Sequence, residues 1–530
     1  MSVQSSFKRE SAIAVFLLLL SLGAFSQVIA TTETSLIDLF DFSTFLGGTG
    51  DDRIETVPYA FGSTTVDSQG NIIVVGRTES TDFPLKDAFQ DHLNGFSDGT
   101  VSKFYPNGTL IFSTYLGGSA QEVPTDVAVD SEDNIIVAGV TGSADFPLMD
   151  PFQSDFTGGI EGNADCFITK FSEDGQSLIF STFLGGTGSD WCYTMNVDSN
   201  DRIAVSGATE SDDFPLLNPH QDTNSGFLDV FISLFEADGQ SLLFSTYLGT
   251  PGIDHGRRVD FDSQGNLLLA GIVANGTLAT EGVYQEEYAG GTADAFIAKF
   301  QTDGSLVYLT FLGGSLVEWA NDLVVDSEDN VIITGFTTSD DFPTMDAYQD
   351  ERSGSFDIFI TKLTPDGTDV VFSTYFGGSS TDYGNAITTD SKDRIIVTGQ
   401  TDSADFPTTS PFSPTESYFN NVSLVVLDKT GSLLLSMVLG GEGHDIGIGV
   451  AWHSEDSYIV VGYTASTTFP VHEAYQETYG GDNDMFVTKL NLQDLIDISQ
   501  DGFPLVLMVG GIAVGAIVVV ALLVLTRKRT

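Results

Sequence analysis

Seven acidic residues recur at one position of a repeated motif. Five residues after the first glycine of each Gly-Gly or Gly-Thr turn stand Asp52, Glu122, Asp190, Asp254, Glu318, Asp382 and Asp445. Because calcium prefers several oxygen ligands at one site, a circle of such carboxylates is a candidate metal site. The alternative is structural, with each carboxylate accepting hydrogen bonds from backbone amides of its own loop and clamping adjacent repeats. The chain has no compact Asp-x-Asp-x-Asp-Gly loop, which favours the structural alternative. Calcium is the only cofactor that the sequence suggests, and it belongs to the metal alternative.

The sequence contains no recognisable catalytic constellation. The six histidines occupy non-equivalent places, and no pair has the spacing of a zinc site. They are His92, His220, His255, His444, His453 and His472. Carboxylates lie close together by chance in so acidic a chain, so their number does not indicate an acid and base pair. We therefore expect no catalytic residues and a protein that is not an enzyme.

Two cysteines and three sequons are candidate sites of covalent modification. Cys166 begins a predicted third strand, and Cys192 follows the end of the fourth strand that pairs with it, so the two side chains are expected to be near each other. They form either a disulfide or two buried, inert thiols. Glycosylation sequons begin at Asn107, Asn275 and Asn421.

Five lysines share one position of a predicted strand. They are Lys103, Lys170, Lys299, Lys362 and Lys489. In a chain of net charge −54, this repetition predicts a local ion pair with an acid of the same or the neighbouring repeat. Exposed ion pairs contribute little to stability, and we interpret these lysines as structural.

The spacing of these residues follows from a motif that occurs seven times. Residues 112–118 read Phe-Ser-Thr-Tyr-Leu-Gly-Gly, and the first position recurs at Phe42, Phe112, Phe180, Phe244, Tyr308, Phe372 and Leu435. The intervals are 70, 68, 64, 64, 64 and 63 residues. Copies at so regular a period predict one repeat domain rather than several unrelated domains.

Each repeat contains four strand-like pieces. In the second repeat they are residues 125–129, 134–140, 165–171 and 178–184. The second piece is apolar at consecutive positions, as in Ile135–Ala138, so both of its faces must be covered. Four-stranded antiparallel sheets that cover one another are typical of a propeller. The predicted fold class is therefore all-β, a seven-bladed β-propeller.

The repeats are longer than a minimal blade of roughly 40 to 45 residues, and the excess lies between the second and third strands. Five of these insertions carry a Ser-x-Asp-Phe-Pro motif, such as Ser143–Pro147, and the seventh repeat keeps Phe469 and Pro470. We expect the Phe-Pro pair to cover apolar surface and fix the backbone. Segments further along, such as Ala88–Gln90, are predicted to form a short helical turn.

The two ends of the predicted propeller, residues 38–490, supply strands to one blade. A lone strand of the fourth type covers residues 41–46, and the last recognisable strand, residues 484–490, is of the third type. We therefore predict that the N-terminal strand completes blade seven and removes its open edge.

The segments outside the propeller predict membrane attachment. Lys8 and Arg9 precede an apolar run and small residues, which indicates a signal peptide over residues 1–30. After a linker over residues 491–502, the uncharged stretch 503–525 is followed by Arg527–Arg529. It predicts a transmembrane helix over 503–526 and a cytoplasmic basic tail over 527–530. We expect a single-pass cell-membrane protein with its propeller outside the cell.

Three motifs in fixed order resemble the SBBP beta-propeller repeats of prokaryotic surface proteins. They are residues 112–118, residues 129–139 and residues 143–147, and the resemblance extends over residues 39–490. It implies a seven-bladed propeller on an exported protein and no family-wide catalytic residues. The fourth repeat departs from the pattern at Gly249–Pro251 and lacks the Phe-Pro pair, and the seventh departs at Trp452 and His453.

These observations favour a non-catalytic binding or adhesion module at the cell surface, with a protein or polysaccharide partner. The 74 acidic and 20 basic residues exclude a nucleic-acid partner, because phosphate binding needs clustered Lys and Arg. One alternative is a structural coat component whose acidic surface gathers cations. Another is an extracellular polymer hydrolase or lyase.

Overall fold

The repeated motifs fold into seven antiparallel sheets, numbered here as blades 1 to 7, in a computed structural model of the protein. The structure describes residues 40–54, 63–158, 164–409, 419–454 and 456–492. The first described strand is β1 (Phe40–Leu46), which belongs to blade 7. Blade 1 contains β2 (Asp52–Arg53), β3 (Thr64–Val66), β4 (Ile72–Thr78), β5 (Asp98–Phe104) and β6 (Leu110–Leu116).

Each later blade takes its strands in sequence. Blade 2 contains β7 (Glu122–Val129), β8 (Ile135–Thr141), β9 (Asp165–Phe171) and β10 (Leu178–Leu184). Blade 3 contains β11 (Asp190–Val197), β12 (Ile203–Thr209), β13 (Asp229–Phe235) and β14 (Leu242–Leu248). Blade 4 contains β15 (His255–Phe261), β16 (Leu267–Val273), β17 (Asp294–Phe300) and β18 (Leu306–Leu312).

The remaining blades follow the same pattern. Blade 5 contains β19 (Glu318–Val325), β20 (Val331–Thr337), β21 (Asp357–Leu363) and β22 (Val370–Phe376). Blade 6 contains β23 (Asp382–Thr389), β24 (Ile395–Thr401), β25 (Asn421–Leu427) and β26 (Leu433–Leu439). Blade 7 contains β27 (Asp445–Ser454), β28 (Ser457–Thr464), β29 (Asp484–Asn491) and β1.

The predicted closure of the ring is confirmed. β1 pairs antiparallel with β29, with Phe45 opposite Phe486, and completes a sheet of order β1-β29-β28-β27. The first strands of successive blades contact one another around the ring, and β3 contacts both β7 and β27. The first and last described strands therefore share one blade, which leaves no open edge between blades 7 and 1.

The apolar core lies between the blades. All seven residues of β8 are buried, as the continuous apolar run predicted. One cluster combines Ile136 and Ala138 of blade 2 with Ile203 and Val205 of blade 3. Each sheet thus buries both faces by packing against its two neighbours, which is why the second strand of every blade reads as an apolar run.

The Phe-Pro pairs cover apolar surface, as predicted. Phe146 is 3% exposed, and its ring centroid lies 4.6 Å from that of Phe167 in its own blade. Phe83, Phe214, Phe342, Phe406 and Phe469 are buried in the equivalent way. The insertions therefore extend the core of each blade.

The predicted helical turn after the Phe-Pro pair is wrong. Residues 86–90 form bends, and Lys86 makes an antiparallel bridge with Ser113 of the outer strand. The Gln90 amide donates to Thr114 Oγ1 (2.8 Å), and Gln90 Oε1 accepts from Gly117 N (3.1 Å). These bonds to the outer strand compete with helical bonds, so the segment lies along the edge of its blade.

Among the described residues, no helix has both the length and the apolar character needed to cross a membrane. The predicted signal peptide, the transmembrane helix over 503–526 and the tail over 527–530 lie outside the described residues. The linker over 491–502 is described only at Asn491 and Leu492. These assignments stay predictions.

Candidate functional site

The two ends of the propeller differ in construction. One end, here called the loop face, holds the connections between blades, such as residues 117–121, and the insertions between second and third strands, such as 142–158. The other end, the turn face, holds the tight hairpins, such as 130–134 and 172–177. The seven predicted acids lie on the loop face, at or next to the start of each first strand.

These seven acids are fully buried, and hydrogen bonds satisfy most of their oxygens. Glu122 accepts from the Gly118 amide (2.9 Å) and the Thr141 hydroxyl (2.8 Å). Asp190 accepts from the Gly186 amide (2.7 Å), the Ser211 hydroxyl (2.8 Å) and the Thr209 hydroxyl. Each acid therefore ties the connection that enters a blade to the second strand of that blade. This geometry matches the structural alternative and does not gather the seven carboxylates into one shared site.

A second set of buried residues, which the sequence analysis missed, faces the first. It occupies the opening position of every third strand: Asp98, Asp165, Asp229, Asp294, Asp357, Asn421 and Asp484. The first glycine of each Gly-Gly turn lies between the two sets. A Cβ placed on Gly313 would lie 2.7 Å from Asp294 Cγ and 2.9 Å from Glu318 Oε2. Each blade junction therefore holds a carboxylate pair, except that Asn421 faces Asp445.

Direct ion pairs do not neutralise these acids within the described residues. In the described part of the chain, none of these acids takes part in an ion pair. Burial, reinforced by the charge of the partner acid, raises the pKa of Glu122 to about 7 and that of Asp190 to about 6. The same causes raise the pKa of Asp294 to about 7 and that of Asp484 to about 6. A buried carboxylate pair of this kind can hold either a proton or a cation.

Aromatic side chains follow the acids in three blades and form a patch on the loop face. We define the aromatic patch as Trp191, Tyr193, Trp319, Phe336, Phe356 and Tyr383. Trp191, Trp319 and Tyr383 are each the residue after a predicted acid, and all three are partly exposed. The centroid of the Phe336 ring lies 5.3 Å from that of Trp319 and 4.7 Å from that of Tyr383. The patch spans blades 3 to 6.

Arg257 of blade 4 packs against two rings of the patch. It is fully buried, and its guanidinium carbon lies 5.1 Å from the Trp319 ring centroid and 5.7 Å from that of Tyr193. Beside it, burial first and then the Arg257 charge lower the pKa of His255 to about 3, so His255 is neutral. These contacts hold the aromatic rings at fixed orientations, as a stacking surface requires.

A charged network lies at the first strands of three blades. Arg258 Nη1 contacts Asp126 Oδ2 at 2.7 Å, and Arg258 Nε contacts Asp322 Oδ1 at 3.1 Å. Arg258 lies in blade 4, Asp126 in blade 2 and Asp322 in blade 5. The Arg258 side chain therefore links the first strands of three blades, of which blade 2 is not adjacent to the other two. Among the described residues, no group of three or more His, Cys, Asp or Glu has a metal-binding arrangement.

The five repeated lysines pair with acids, as predicted, but they are buried rather than exposed. Lys103 Nζ contacts Asp67 Oδ2 of its own blade at 2.9 Å and donates to Glu173 O of the next blade at 3.1 Å. Lys170, Lys299 and Lys362 pair in the same way with Asp130, Asp262 and Asp326. The fifth, Lys489, contacts Asp41 of β1. Each lysine therefore joins neighbouring strands on the turn face.

The candidate modification sites are placed as follows. Cys166 on β9 and Cys192 on β11 are both free and buried, in facing blades. Burial, together with the adjacent Cys192, raises the pKa of the Cys166 thiol. Asn107 and Asn275 are exposed, whereas Asn421 is 5% exposed and donates to Phe419 O. The buried Asn421 amide leaves no room for a glycan in the folded blade.

Sequence comparison identifies the repeat. A family model described as SBBP, Beta-propeller repeat, matches residues 111–147 and 371–407, in blades 1 to 2 and 5 to 6. Two segments of the protein therefore match the SBBP beta-propeller repeat. Each matched segment runs from an outer strand to the Phe-Pro pair of the next blade. It therefore contains one of the seven acids after the glycine turns, Glu122 or Asp382.

Two curated proteins are similar in sequence to this chain. An uncharacterised WD repeat-containing protein, L264, of Acanthamoeba polyphaga mimivirus is 23% identical over 496 residues, which covers 75% of this chain and 34% of that protein. The regulatory protein FlaEY of Caulobacter vibrioides is 24% identical over 355 residues, which covers 64% and 36%. The chain thus spans about a third of the length of these relatives.

Solved structures with a similar arrangement are distant. A polysaccharide lyase, the PL25 ulvan lyase, is 10% identical, with a TM-score of 0.45 over 85% of this chain and 98% of that one. The quinohemoprotein alcohol dehydrogenase from Comamonas testosteroni is 10% identical, with a TM-score of 0.40 over 86% and 76%. Neither similarity bears on the function of the loop face.

Proposed function

We propose that this SBBP repeat protein is a non-catalytic binding module that holds a polysaccharide or protein partner at the cell surface. The aromatic patch on the loop face carries the proposal. Partly exposed Trp and Tyr side chains combine a large apolar face with a polar edge, which makes them frequent anchors in binding sites. Trp191, Trp319 and Tyr383 provide three such side chains on adjacent or next-but-one blades.

A polysaccharide is the partner that this surface suits best. Sugar rings present flat apolar faces that stack on aromatic rings, and their hydroxyls bond to the polar groups around the patch. Arg257, which is fully buried and lies against the Trp319 and Tyr193 rings, keeps those rings in place before the partner arrives. A preorganised surface loses less conformational entropy on binding.

Attachment to the membrane belongs to the same proposal. The predicted signal peptide and transmembrane helix would hold the propeller outside the cell and close to its membrane. The hydrolase or lyase alternative gains no support from the paired carboxylates, because the pairs are buried beneath the loops where a polymer cannot reach them.

A binding measurement with variants on the two faces tests the proposal. The purified full-length protein is applied to a polysaccharide array and to a pull-down from cell envelopes, with the Trp319→Ala and Trp191→Ala variants beside it. Truncating an anchor residue of an interface is expected to weaken binding roughly 10-fold or more.

The matched control is Trp452→Ala. Trp452 is 41% exposed, lies at the far end of β27 on the turn face, and donates to Ser454 O. The proposal expects this variant to bind as the unaltered protein does. Equal binding by all four proteins, or a loss confined to Trp452→Ala, would contradict it.

A further inference from the structure

The turn face departs from the repeat at one corner. In blades 2 to 5 the hairpin between the third and fourth strands has an exposed aspartate before its glycine, at Asp174, Asp238, Asp303 and Asp366. Blades 1 and 6 have the uncharged Asn107 and Thr430 at this position. In blade 7, His453 stands where the first hairpin of each of the other six blades has an aspartate, such as Asp130. Blades 6, 7 and 1 are consecutive around the ring, so the replaced acids lie together.

Aromatic and basic side chains occupy the same corner. Trp452 is 41% exposed at the end of β27, and Tyr105 is 50% exposed in a hairpin of blade 1. The residues equivalent to Trp452 in the other blades are Val, Phe or Thr, and all are less exposed. Lys392 and Lys429 of blade 6 are the exposed lysines of the turn face in the described part of the chain. This corner is therefore amphipathic, whereas the hairpins of blades 2 to 5 are acidic.

The chain leaves the propeller at this corner. β29 runs from Asp484 on the loop face to Asn491 on the turn face. The Leu492 amide then donates to Asp456 O at 2.7 Å, and Leu492 is 1% exposed. The point from which the linker departs is therefore fixed on the turn face.

Trp452 lies close to this departure point. It pairs with Tyr458, and Tyr458 pairs with Leu490 near the end of β29. Because neighbouring strands lie about 4.8 Å apart, Trp452 is two strands, or about 10 Å, from β29. The Trp452 indole nitrogen donates to Ser454 O at 2.9 Å, so the exposed part of the side chain is mainly apolar.

Contacts between blades 7 and 1 hold Tyr105 beside the same point. His453 Nε2 lies 3.0 Å from Gly70 O in blade 1. Lys489 Nζ of β29 donates to Pro106 O at 3.2 Å, and Pro106 follows Tyr105 in the chain. The aromatic side chains of the two blades therefore flank the C-terminal end of β29.

The sequence after Leu492 leads directly to the predicted transmembrane helix. Ten residues, 493–502, precede that helix over 503–526. At roughly 3.3 Å per residue they reach no further than about 33 Å. The loop face lies a further strand length, roughly 24 Å, from the departure point. The turn face is therefore the end of the propeller that the linker brings to the bilayer.

We propose that one corner of the turn face rests on the outer surface of the lipid bilayer, with the loop face directed away from it. We define this exit corner as Tyr105, Lys392, Lys429, Trp452 and His453. The proposal rests on the membrane attachment proposed above. Trp and Tyr side chains favour the membrane–water interface because an apolar ring carries a polar edge. Lysine side chains can bury their stems and extend their ammonium groups to lipid phosphates.

The acids of the repeat explain why only this corner makes the contact. The exposed aspartates in the hairpins of blades 2 to 5 would lose hydration against lipid, which is costly for an unpaired charge. Those blades therefore stay in water, and the propeller tilts onto blades 6, 7 and 1. This orientation leaves the aromatic patch of the loop face open to a partner outside the cell.

Quenching of tryptophan fluorescence by lipid tests the orientation. The chain has three tryptophans, Trp191, Trp319 and Trp452, and none lies within 503–526. The full-length protein is reconstituted into vesicles of phosphatidylcholine brominated near the headgroup end of its acyl chains. Trp452→Phe and its matched control, Trp319→Phe, are measured beside it. Flotation of the vesicles through a density gradient reports attachment independently of the fluorescence.

The proposal expects quenching of up to about a third of the emission, because one of three tryptophans contacts lipid. Trp452→Phe should abolish the quenching. In Trp319→Phe the quenched share should rise to about a half, because two tryptophans remain.

Three results would overturn the proposal. Vesicle-bound protein without quenching would do so, and if aqueous acrylamide also failed to reach Trp452, a second copy or another protein would cover the corner. Quenching that persists in Trp452→Phe and is lost in Trp319→Phe would place the loop face on the lipid. Protein that does not float with the vesicles would contradict the membrane attachment itself, and polysaccharide binding by the loop face would remain a separate result.

Discussion

The loop face and the turn face both bury acidic residues, but the pKa shifts of these acids have opposite signs. On the turn face, the hairpin acids contact cations: Asp67 contacts Lys103, Asp326 contacts Lys362, and Asp390 contacts Arg394. Burial alone would raise the pKa of these acids, but hydrogen bonds and the adjacent cation outweigh it, so the pKa values of Asp67 and Asp326 are lowered. At the paired acids of the loop face, burial prevails because no ion pair to these acids occurs in the described part of the chain, and the pKa of Glu122 rises to about 7.

This difference in charge pairing assigns stability to the turn face and binding to the loop face. The turn face pairs its charges within each blade, lysines such as Lys103 also donate to a carbonyl of the next blade, and tight hairpins face the solvent. The loop face has buried acids without cations and partly exposed aromatic rings above them. Functional surfaces commonly combine incompletely compensated charge with accessible aromatic side chains, whereas structural surfaces satisfy their own groups.

The largest expected effect concerns a turn-face pair. Lys362→Met leaves Asp326, whose side chain is 1% exposed, buried without its cation. Removing one partner of a buried ion pair costs about 3–5 kcal/mol, so the variant should unfold at a much lower urea concentration. The matched control is Lys392→Met, because Lys392 pairs with Asp456 while its side chain is 44% exposed.

That control should lose less than about 1 kcal/mol. If Lys362→Met and Lys392→Met unfold at the same urea concentration, the buried ion pairs add no more stability than the exposed pair. The contrast between the turn face and the loop face would then fail.

The next effect is a pH dependence with opposite signs on the two faces. The raised pKa values of Glu122, Asp190 and Asp294 mean that the folded state binds protons more tightly than the unfolded chain. Their contribution to stability grows as the pH falls through about 7 to about 5 and is lost as the pH rises again. The lowered pKa values of Asp67 and Asp326 act oppositely, and their contribution is lost as the pH falls below about 4.

The melting temperature should therefore be highest at about pH 5 when salt screens the repulsion between surface charges. Glu122→Gln should flatten the decline between about pH 5 and pH 8 and leave the decline below about pH 4 unchanged. A melting temperature that rises steadily from acid to neutral pH would show that the loop-face acids are ionised without cost.

The smallest effect concerns the clasps between hairpins. Ser327 in blade 5 donates its hydroxyl to Asp393 Oδ2 in blade 6 at 2.8 Å, and Ser327→Ala should cost about 1 kcal/mol. The equivalent serine of blade 3, Ser199, faces blade 4 at Gly265, where no carboxylate is available. Ser199→Ala should leave urea unfolding unchanged, and a similar loss in both variants would assign the effect to the serine alone.

The sequence predicted the fold because its strongest signals are periodic. The recurring Phe-Ser-Thr-Tyr-Leu-Gly-Gly motif and apolar runs such as Ile135–Ala138 gave the number of blades, the strand order and the shared blade of β1 and β29. The predicted helical turn at Ala88–Gln90 failed because Gln90 bonds to the neighbouring outer strand, a tertiary contact that local sequence does not report.

The candidate site was only half predicted. The acids from Asp52 to Asp445 were found through their distance from the glycine turns, but the facing acids were missed. Their signal was available, since an aspartate stands five residues before each of the repeated lysines, as Asp98 does before Lys103. The aromatic patch had no periodic signal, because only blades 3, 5 and 6 carry Trp or Tyr after the acid. Burial of the lysines also depends on contacts with the next blade.

Carbene footprinting of the full-length protein, with and without a bound envelope polysaccharide, tests most directly whether the loop face is the binding face. Labelling reports solvent access on both faces in one measurement, and Trp319 and Trp452 provide partly exposed tryptophans on opposite ends of the blades. We predict protection of the segments that contain Trp191, Trp319 and Tyr383, with no change at Trp452. Protection at Trp452 and the hairpins, with the aromatic patch still labelled, would contradict the account.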